Sequence, residues 1–273
     1  MRLLYFGDIV GKAGRRVVED HVADLKRELK IDFCIINAEN AAGGFGITEA
    51  IANALFLAGA DCLTLGNHSW DQKEALTFIE REPRMLRPLN YPQAAEAPGK
   101  GANLYTLPDG RRVLVVLVLG QLFMENLDCP FAAVNSTLEA CPLADVADAV
   151  VVDIHAEANS EKMAMGHYCD GRASLVVGSH THIPTADAQI LPNGTAYQTD
   201  AGACADYNSV IGMEVDEPVN RFVSKIRGQR LRPAEGPGTL CGVFVETDDK
   251  TGLATRVEPV RVGGRLKETT PSV

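Results

Sequence analysis

The sequence predicts an α/β fold in which strands and helices form separate layers. Strand-like and helical patterns alternate over residues 1–81, and strong strands recur through the rest of the chain. Such alternation favours a sheet whose loops collect functional groups at one edge. The 273 residues are 46% hydrophobic and show no internal repeat, which favours one folded domain over residues 1–273.

Each element of the first half has its own signal. Residues 2–7 form a short apolar run, as expected of a buried strand, and Val18, Val22, Leu25 and Leu29 recur at the spacing of one helix face. The next predicted elements are a strand at 33–37, a helix at 48–57, a strand at 62–65 and a helix at 72–81.

Strands dominate the second half, where few helices are expected. A stretch rich in Pro, Gly and Asn at 87–110 is predicted to be a long connection. The predicted strands lie at 113–119, 149–154, 175–178, 196–199, 242–246 and 256–260. A polar insertion occupies residues 206–239. Its arginines, from Arg221 to Arg232, are interpreted as a solvated basic face, with contact to a phosphate as the alternative.

Composition argues against several classes of protein. The 26 basic and 36 acidic residues give a net charge of -10, which opposes long-range attraction to nucleic acid or to an anionic membrane. The sequence has no apolar run of about 18 residues and no signal-peptide pattern. None of the cysteines forms a CxxC pair, as expected for reduced thiols. We therefore expect a cytoplasmic protein that does not contact membranes.

Side chains able to bind metal follow five predicted strands. They are Asp8, Glu39 with Asn40, Asn67 with His68, His155, and His180 with His182. Strand ends converge on one edge of a layered fold, so these groups are expected to meet in one pocket. Three of the five groups have an ordinary alternative: Asp8 as a turn or helix-cap residue, Glu39 and Asn40 as polar loop residues, and His155 as a hydrogen-bonded core histidine.

The chemistry of these ligands predicts a metal centre. Carboxylate, amide and imidazole groups suit iron, Mn²⁺, Zn²⁺ or Mg²⁺. Their number exceeds the needs of one ion, and the economical arrangement is two ions about 3.5–4 Å apart. Such a centre neutralises phosphate oxygens and generates a nucleophile at neutral pH. Phosphoester hydrolysis is therefore the predicted reaction class.

The order of the motifs resembles that of the calcineurin-like metallophosphoesterases. The segments most similar to the YmdB-like branch are FGDIVGKAGR, NAENAAGGFGI, LGNHSWD, DIHAEANSEK and VGSHTHIPTAD, and the resemblance extends over essentially the whole chain. It implies a four-layer architecture of two packed mixed β-sheets flanked by helices. It also implies two divalent or trivalent metal ions. Iron or manganese is the favoured metal, with zinc or magnesium as alternatives.

The resemblance further implies a role for each residue. One metal would take Asp8, Glu39, Asn40 and His182. The other would share Glu39 and take Asn67, His155 and His180. Val10 stands where the wider superfamily has a histidine, and Asn40 is expected to replace that ligand. His68 is implied to be the general acid, a role that suits an imidazole at neutral pH.

The implied activity is hydrolysis of small phosphodiesters, notably nucleoside 2′,3′-cyclic monophosphates, by attack of a metal-bridging hydroxide. The alternatives are a phosphomonoesterase or protein phosphatase, and a regulatory protein that binds metal and nucleotide with little turnover. RNA ends are an alternative substrate, and a homo-oligomer is compatible with the sequence. No residue is assigned to substrate binding at this stage.

Overall fold

Two mixed β-sheets pack face to face in the computed structural model, which describes residues 1–272. Numbered in chain order, the strands of the first sheet are β1 (Arg2–Phe6), β2 (Phe33–Asn37), β3 (Cys62–Thr64), β4 (Met85–Leu86), β11 (Ala205–Asp206), β12 (Gly238–Thr247) and β13 (Ala254–Val262). The second sheet contains β5 (Ala102–Thr106), β6 (Arg112–Leu119), β7 (Ala149–His155), β8 (Leu175–Ser179), β9 (Gln189–Ile190) and β10 (Ala196–Gln198).

Helices pack on the outer faces of both sheets, except for the last one, which lies in the insertion and buries only Pro218. They are α1 (Gly11–Glu28), α2 (Glu49–Ala58), α3 (Ala75–Phe78), α4 (Pro130–Ala140), α5 (Asn159–Tyr168) and α6 (Asp216–Ser224), with a short 3₁₀ helix at Gln93–Ala95. Local signals set some of these bounds: the Thr48 hydroxyl caps α2 by accepting from the Ile51 N–H, and Gly59 ends that helix with a positive φ of 120°. The predicted architecture of two mixed sheets flanked by helices is confirmed.

Side chains alternate between the two faces of each strand, and this alternation divides the hydrophobic core into two parts. In β6, Val113, Val115 and Leu117 belong to the core shared with the first sheet. Their neighbours Leu114 and Val116 pack instead with residues of α4 and α5. Because successive strand side chains point to opposite faces, one apolar run supplies both cores.

The strand order places the parallel strands at the centre of each sheet. In the first sheet β1, β2 and β3 are parallel neighbours, and in the second β6, β7, β8 and β10 are. Antiparallel strands flank the set in the second sheet on both sides, whereas in the first sheet β12 is antiparallel to β1 and the edge strand β4 is parallel to β3. The β11–β12 pair closes the base of the insertion, where Asp206 lies opposite Gly238. No helix in residues 1–272 combines the length and apolar character that a membrane span requires.

Three predictions about elements were wrong. The expected helix at 72–81 is only Ala75–Phe78, because hydrogen bonds hold the preceding residues Asp71 and Gln72 in turns. The expected connection at 87–110 contains β5, a half-exposed edge strand without an apolar run. The second half also contains α4 and α5. The buried face of α5 includes the charged residues Glu161 and Lys162, which weakens the helical period of its sequence.

Candidate metal centre and active site

The carboxyl ends of strands from both sheets meet at one pocket. Asp8, Glu39 and Asn67 follow the parallel strands β1, β2 and β3, while His155 ends β7 and His180 follows β8. Because the two sheets face each other, oxygen donors from the first lie opposite imidazoles from the second. The structure thus brings all the sequence-predicted residues into one region.

Three other predicted ligands converge on His155, which is fully buried. Its Nε2 lies 3.0 Å from Glu39 Oε1, 3.0 Å from Asn67 Oδ1 and 3.1 Å from His180 Nδ1. Glu39, His155 and His180 each offer one ligand atom, and these atoms all lie within 4.8 Å of one another. One cation can therefore be reached by all four side chains, the set predicted for the second metal.

Two of the remaining predicted ligands, Asp8 and His182, form a second close pair. Asp8 Oδ1 is 3.8 Å from His182 Nε2. The second nitrogen of that imidazole, Nδ1, is 2.7 Å from the carbonyl oxygen of Ile211, which leaves Nε2 for a ligand. The Asn40 amide nitrogen donates to the Gly44 carbonyl at 3.0 Å, which leaves its oxygen facing the site.

Buried oxygens without partners test whether this donor set fits a cation. In residues 1–272, four buried side-chain oxygens have no hydrogen-bond partner, and three of them are Asp8 Oδ1, Glu39 Oε1 and Asn40 Oδ1. Glu39 Oε1 is close to His155 Nε2, but the two atoms do not have hydrogen-bond geometry. Burying an unpaired acceptor costs about 1–3 kcal/mol. Bound cations would satisfy all three atoms, so the residues fit a metal centre.

The pKa shifts in the site show that its carboxylates favour a positive charge beside them. Burial lowers the pKa of His155, but the carboxylates of Glu39, Asp8 and Asp153 outweigh it and raise the value to about 9. Burial acts to raise the pKa of Glu39, yet His155 and His68 bring it down to about 2. Burial and the His155 charge together lower the pKa of His180 to about 3. In the protein alone, protonation of His155 thus balances the negative charge of the surrounding carboxylates.

A buried hydrogen-bond network holds His155 from behind. Asp153 accepts from the hydroxyls of Tyr5 (2.6 Å), Thr64 (2.7 Å) and Ser179 (2.7 Å). The Ser179 oxygen also lies 2.9 Å from His155 Nδ1. This contact directs Nε2 into the site. Sequence reasoning missed Asp153, although a carboxylate inside the apolar run VVVDIH was a usable signal.

A buried ion pair supports the loop that carries the other two histidines. Lys162 Nζ donates to Asp200 at 2.7 Å, and both side chains are fully buried. Asp200 also accepts from the backbone N–H and hydroxyl of Thr181 at 3.1 and 2.7 Å. His180 and His182 do not lie on an extended segment, because their φ angles are 92° and 66°. Left-handed backbone at non-glycine residues is costly and is found where tertiary contacts enforce it.

His68 lies at the mouth of the pocket. Its backbone N–H donates to Glu39 Oε2 at 2.9 Å, and its Nδ1 is 2.8 Å from Asp71 Oδ2. The side chain is 27% exposed, so a substrate can reach it. Fixing Nδ1 leaves Nε2 to serve a leaving group. Its role as general acid, and the ligand roles above, stay predictions.

A cavity of about 360 Å³ opens onto these groups. One side is polar and contains Glu39, Asn40, His68, Glu157, His180, Thr181 and His182. The opposite wall is apolar and consists of Phe45, Ile211, Met213 and Leu231, three of them from the insertion. Val10 packs with Met213 in a small separate core. A cavity of about 440 Å³ beside α1 contains none of the predicted site residues.

Comparisons with known proteins agree with this geometry. The family model for YmdB-like proteins matches residues 4–260. The chain is 43% identical to a 2′,3′-cyclic-nucleotide 2′-phosphodiesterase of Bacillus subtilis, with 96% of this chain and 97% of the relative covered. A putative phosphatase/phosphodiesterase of Mycoplasma genitalium is 34% identical, with 96% and 93% covered.

Two solved structures are similar over almost their full length. A hypothetical protein of Thermus thermophilus superposes with a TM-score of 0.89 at 41% identity and covers 97% of this chain and 100% of its own. A phosphatase of Mycoplasma pneumoniae superposes with a TM-score of 0.90 at 30% identity, with 96% and 93% covered. The resemblance found in the motifs is confirmed, and this chain belongs to the family of YmdB-like proteins.

Proposed function

We propose that this protein is a metal-dependent phosphodiesterase that hydrolyses nucleoside 2′,3′-cyclic monophosphates in the cytoplasm. The observation that carries the proposal is a cluster of oxygen and nitrogen donors beside one pocket, in which three buried oxygens have no hydrogen-bond partner. The names of the relatives support a phosphate ester as substrate, and that of the Bacillus relative supports the 2′,3′-cyclic diester.

Two metal ions are part of this proposal. Asp8, Glu39, Asn40 and His182 would hold one, and Glu39, Asn67, His155 and His180 the other. The mixed carboxylate, amide and imidazole set favours iron or manganese, with zinc or magnesium as alternatives. When bound, the ions supply Lewis acidity toward phosphate oxygens and an activated water at neutral pH.

The side chains of the protein contribute positioning and proton transfer. Water adds to phosphorus, the bond from phosphorus to O2′ breaks, and that oxygen needs a proton as it leaves. His68 Nε2 supplies this proton while Asp71 holds Nδ1. The apolar wall of Ile211 and Met213 packs against the nucleoside and keeps bulk water away.

The test is a comparison of substrates under metal control. Hydrolysis of 2′,3′-cyclic AMP, 3′,5′-cyclic AMP and a phosphate monoester is measured with the purified protein, after chelation, and after adding back Mn²⁺. We expect chelation to abolish cleavage of the 2′,3′-cyclic diester and Mn²⁺ to restore it. Faster cleavage of the monoester would favour a phosphomonoesterase instead. No turnover with any metal would contradict the enzyme and favour a metal-dependent binding protein.

A further inference from the structure

A second cavity of about 440 Å³ adjoins the catalytic pocket. It is lined by Phe45, Asp71, Gln72, Arg221, Arg230 and Leu231. Phe45 and Leu231 also line the catalytic pocket, so the two cavities share a wall. We call this second cavity the Phe45–Arg230 groove. A substrate held at the metal ligands can extend into it past these two side chains.

The backbone presents Phe45 in a fixed orientation. Its flanking residues Gly44 and Gly46 have φ angles of 90° and 75°, which only glycine adopts at little cost. Gln72 Nε2 donates to the Phe45 carbonyl at 2.8 Å and holds the turn from the other side. The Phe45 ring meets the His68 ring edge to face, with 5.2 Å between centroids. The aromatic ring therefore stands directly beside the proposed general acid.

Arg230 supplies an uncommitted positive charge to the groove. Its guanidinium carbon lies 5.9 Å from the Phe45 ring centroid. In the part of the chain that the structure describes, no carboxylate forms an ion pair with it. Arg221, by contrast, is paired with Glu217 at 2.7 Å. Asp71 is the acidic residue of the groove, and its carboxylate contacts His68 Nδ1 rather than Arg230. A guanidinium free to bind an anion is notable in a chain of net charge -10.

An aromatic face beside a free guanidinium suits a nucleotide. Bases stack on aromatic rings, and arginine forms strong charge-assisted hydrogen bonds to phosphate oxygens. A nucleoside 2′,3′-cyclic monophosphate has its only phosphate at the metal ligands. The groove therefore fits a substrate with a second phosphate, one nucleotide away from the reacting phosphorus.

We propose that the Phe45–Arg230 groove binds the 5′-linked phosphate of the terminal nucleotide, so that the preferred substrate is an oligoribonucleotide ending in a 2′,3′-cyclic phosphate. This proposal rests on the proposed function. Water adds to the cyclic phosphorus, the bond to O2′ breaks, O2′ takes a proton, and the chain then ends in a 3′-phosphate. The internucleotide phosphate bound by Arg230 is not cleaved.

The experiment compares three substrates that differ only on the 5′ side. They are adenosine 2′,3′-cyclic phosphate, the same compound with a 5′-phosphate, and the dinucleotide ApA ending in a 2′,3′-cyclic phosphate. The readout is kcat/KM of each 5′-substituted substrate divided by that of the mononucleotide. We expect a ratio of about ten or more, the contribution of one charge-assisted contact. If the ratio is larger for the dinucleotide than for the 5′-phosphorylated mononucleotide, the additional base also contributes, as expected if it stacks on Phe45.

The R230Q variant tests whether the groove causes the preference for 5′-substituted substrates. We expect R230Q to lower the ratio to about one, while the matched variant R227Q retains it, because Arg227 is exposed in the same segment but lines neither cavity. A parental ratio of one, or a ratio that survives R230Q, would overturn the groove proposal and leave the mononucleotide activity intact. Failure to cleave any of the three substrates would overturn both proposals.

Discussion

The strand-end edge and the insertion face each other across one pocket but are built differently. At the edge, Asp8, Glu39 and His155 are at most 1% exposed. On the insertion, Phe222 and Val223 of α6 are 73% and 80% exposed. The edge combines residues from two packed sheets, whereas α6 is short and buries only Pro218.

We infer from this difference that the strand-end edge serves the reaction and the insertion serves substrate selection. Preorganised groups on rigid strands are what stabilisation of a charged transition state requires. A loosely supported wall can vary in shape and sequence without disturbing the strands. Substitutions at the edge should therefore change metal binding and kcat, and substitutions on the insertion should change KM and substrate choice.

The largest effect is expected from Glu39→Gln at the edge. Glu39 is predicted to belong to both sets of ligands, so loss of its charge should remove metal from both and lower kcat about 10³-fold or more. Metal content by elemental analysis and turnover of 2′,3′-cyclic AMP check this. Glu74→Gln is the control, because Glu74 is an exposed carboxylate that does not line the pocket. Two retained metals in Glu39→Gln would contradict the bridging role.

His68→Ala should lower kcat about 10²- to 10³-fold while both metals remain bound. The loss should shrink for a diester with a p-nitrophenolate leaving group, because that group departs without a proton. Turnover of both substrates is compared, with His167→Ala as a control on the exposed end of α5. An equal loss on both substrates would argue for a structural role.

Asp153→Asn tests whether the buried network supports the edge. The substitution keeps the shape but weakens the support of Ser179 and His155, so metal affinity should fall about 10- to 100-fold. Ser179→Ala should have a similar effect, because it removes the hydroxyl between Asp153 and His155. Metal titration of the folded apoproteins, verified by circular dichroism, measures this. Unchanged affinity in both variants would show that the network serves only packing.

The pH dependence of metal binding follows from His155. Its pKa of about 9, above the ordinary 6.5, means that the imidazolium stabilises the metal-free fold below pH 6.5 and loses this effect as pH rises through 9. Metal requires the neutral imidazole, so affinity should rise up to about tenfold per pH unit between pH 7 and 9. Chelator competition at pH 7, 8 and 9 tests this. Affinity independent of pH would contradict proton release from His155.

The smallest effect is expected on the insertion. Ile211→Ala removes apolar contact from the pocket wall but keeps the backbone carbonyl near His182, so KM should rise less than about tenfold at constant kcat and metal content. Ile183→Ala is the matched control, since Ile183 is similarly exposed and does not line the pocket. A loss of metal in Ile211→Ala would remove the distinction between the two regions.

Local patterns explain most of what sequence reasoning predicted. The strands at 33–37 and 113–119 were found within one residue, because buried parallel strands are continuous apolar runs. The edge strand β5 was missed, because its pairing with β6 is a tertiary contact and leaves no apolar run in its sequence.

The sequence by itself determined the family, most of the buried strands and the polar residues that follow them. These are properties of short segments. Only the tertiary structure decided that Asp153 lies behind His155, that Lys162 and Asp200 shape the histidine loop, and that Phe45 and Arg230 share a groove. Tyr5 and Asp153 are 148 positions apart, and their contact exists only because two sheets pack together.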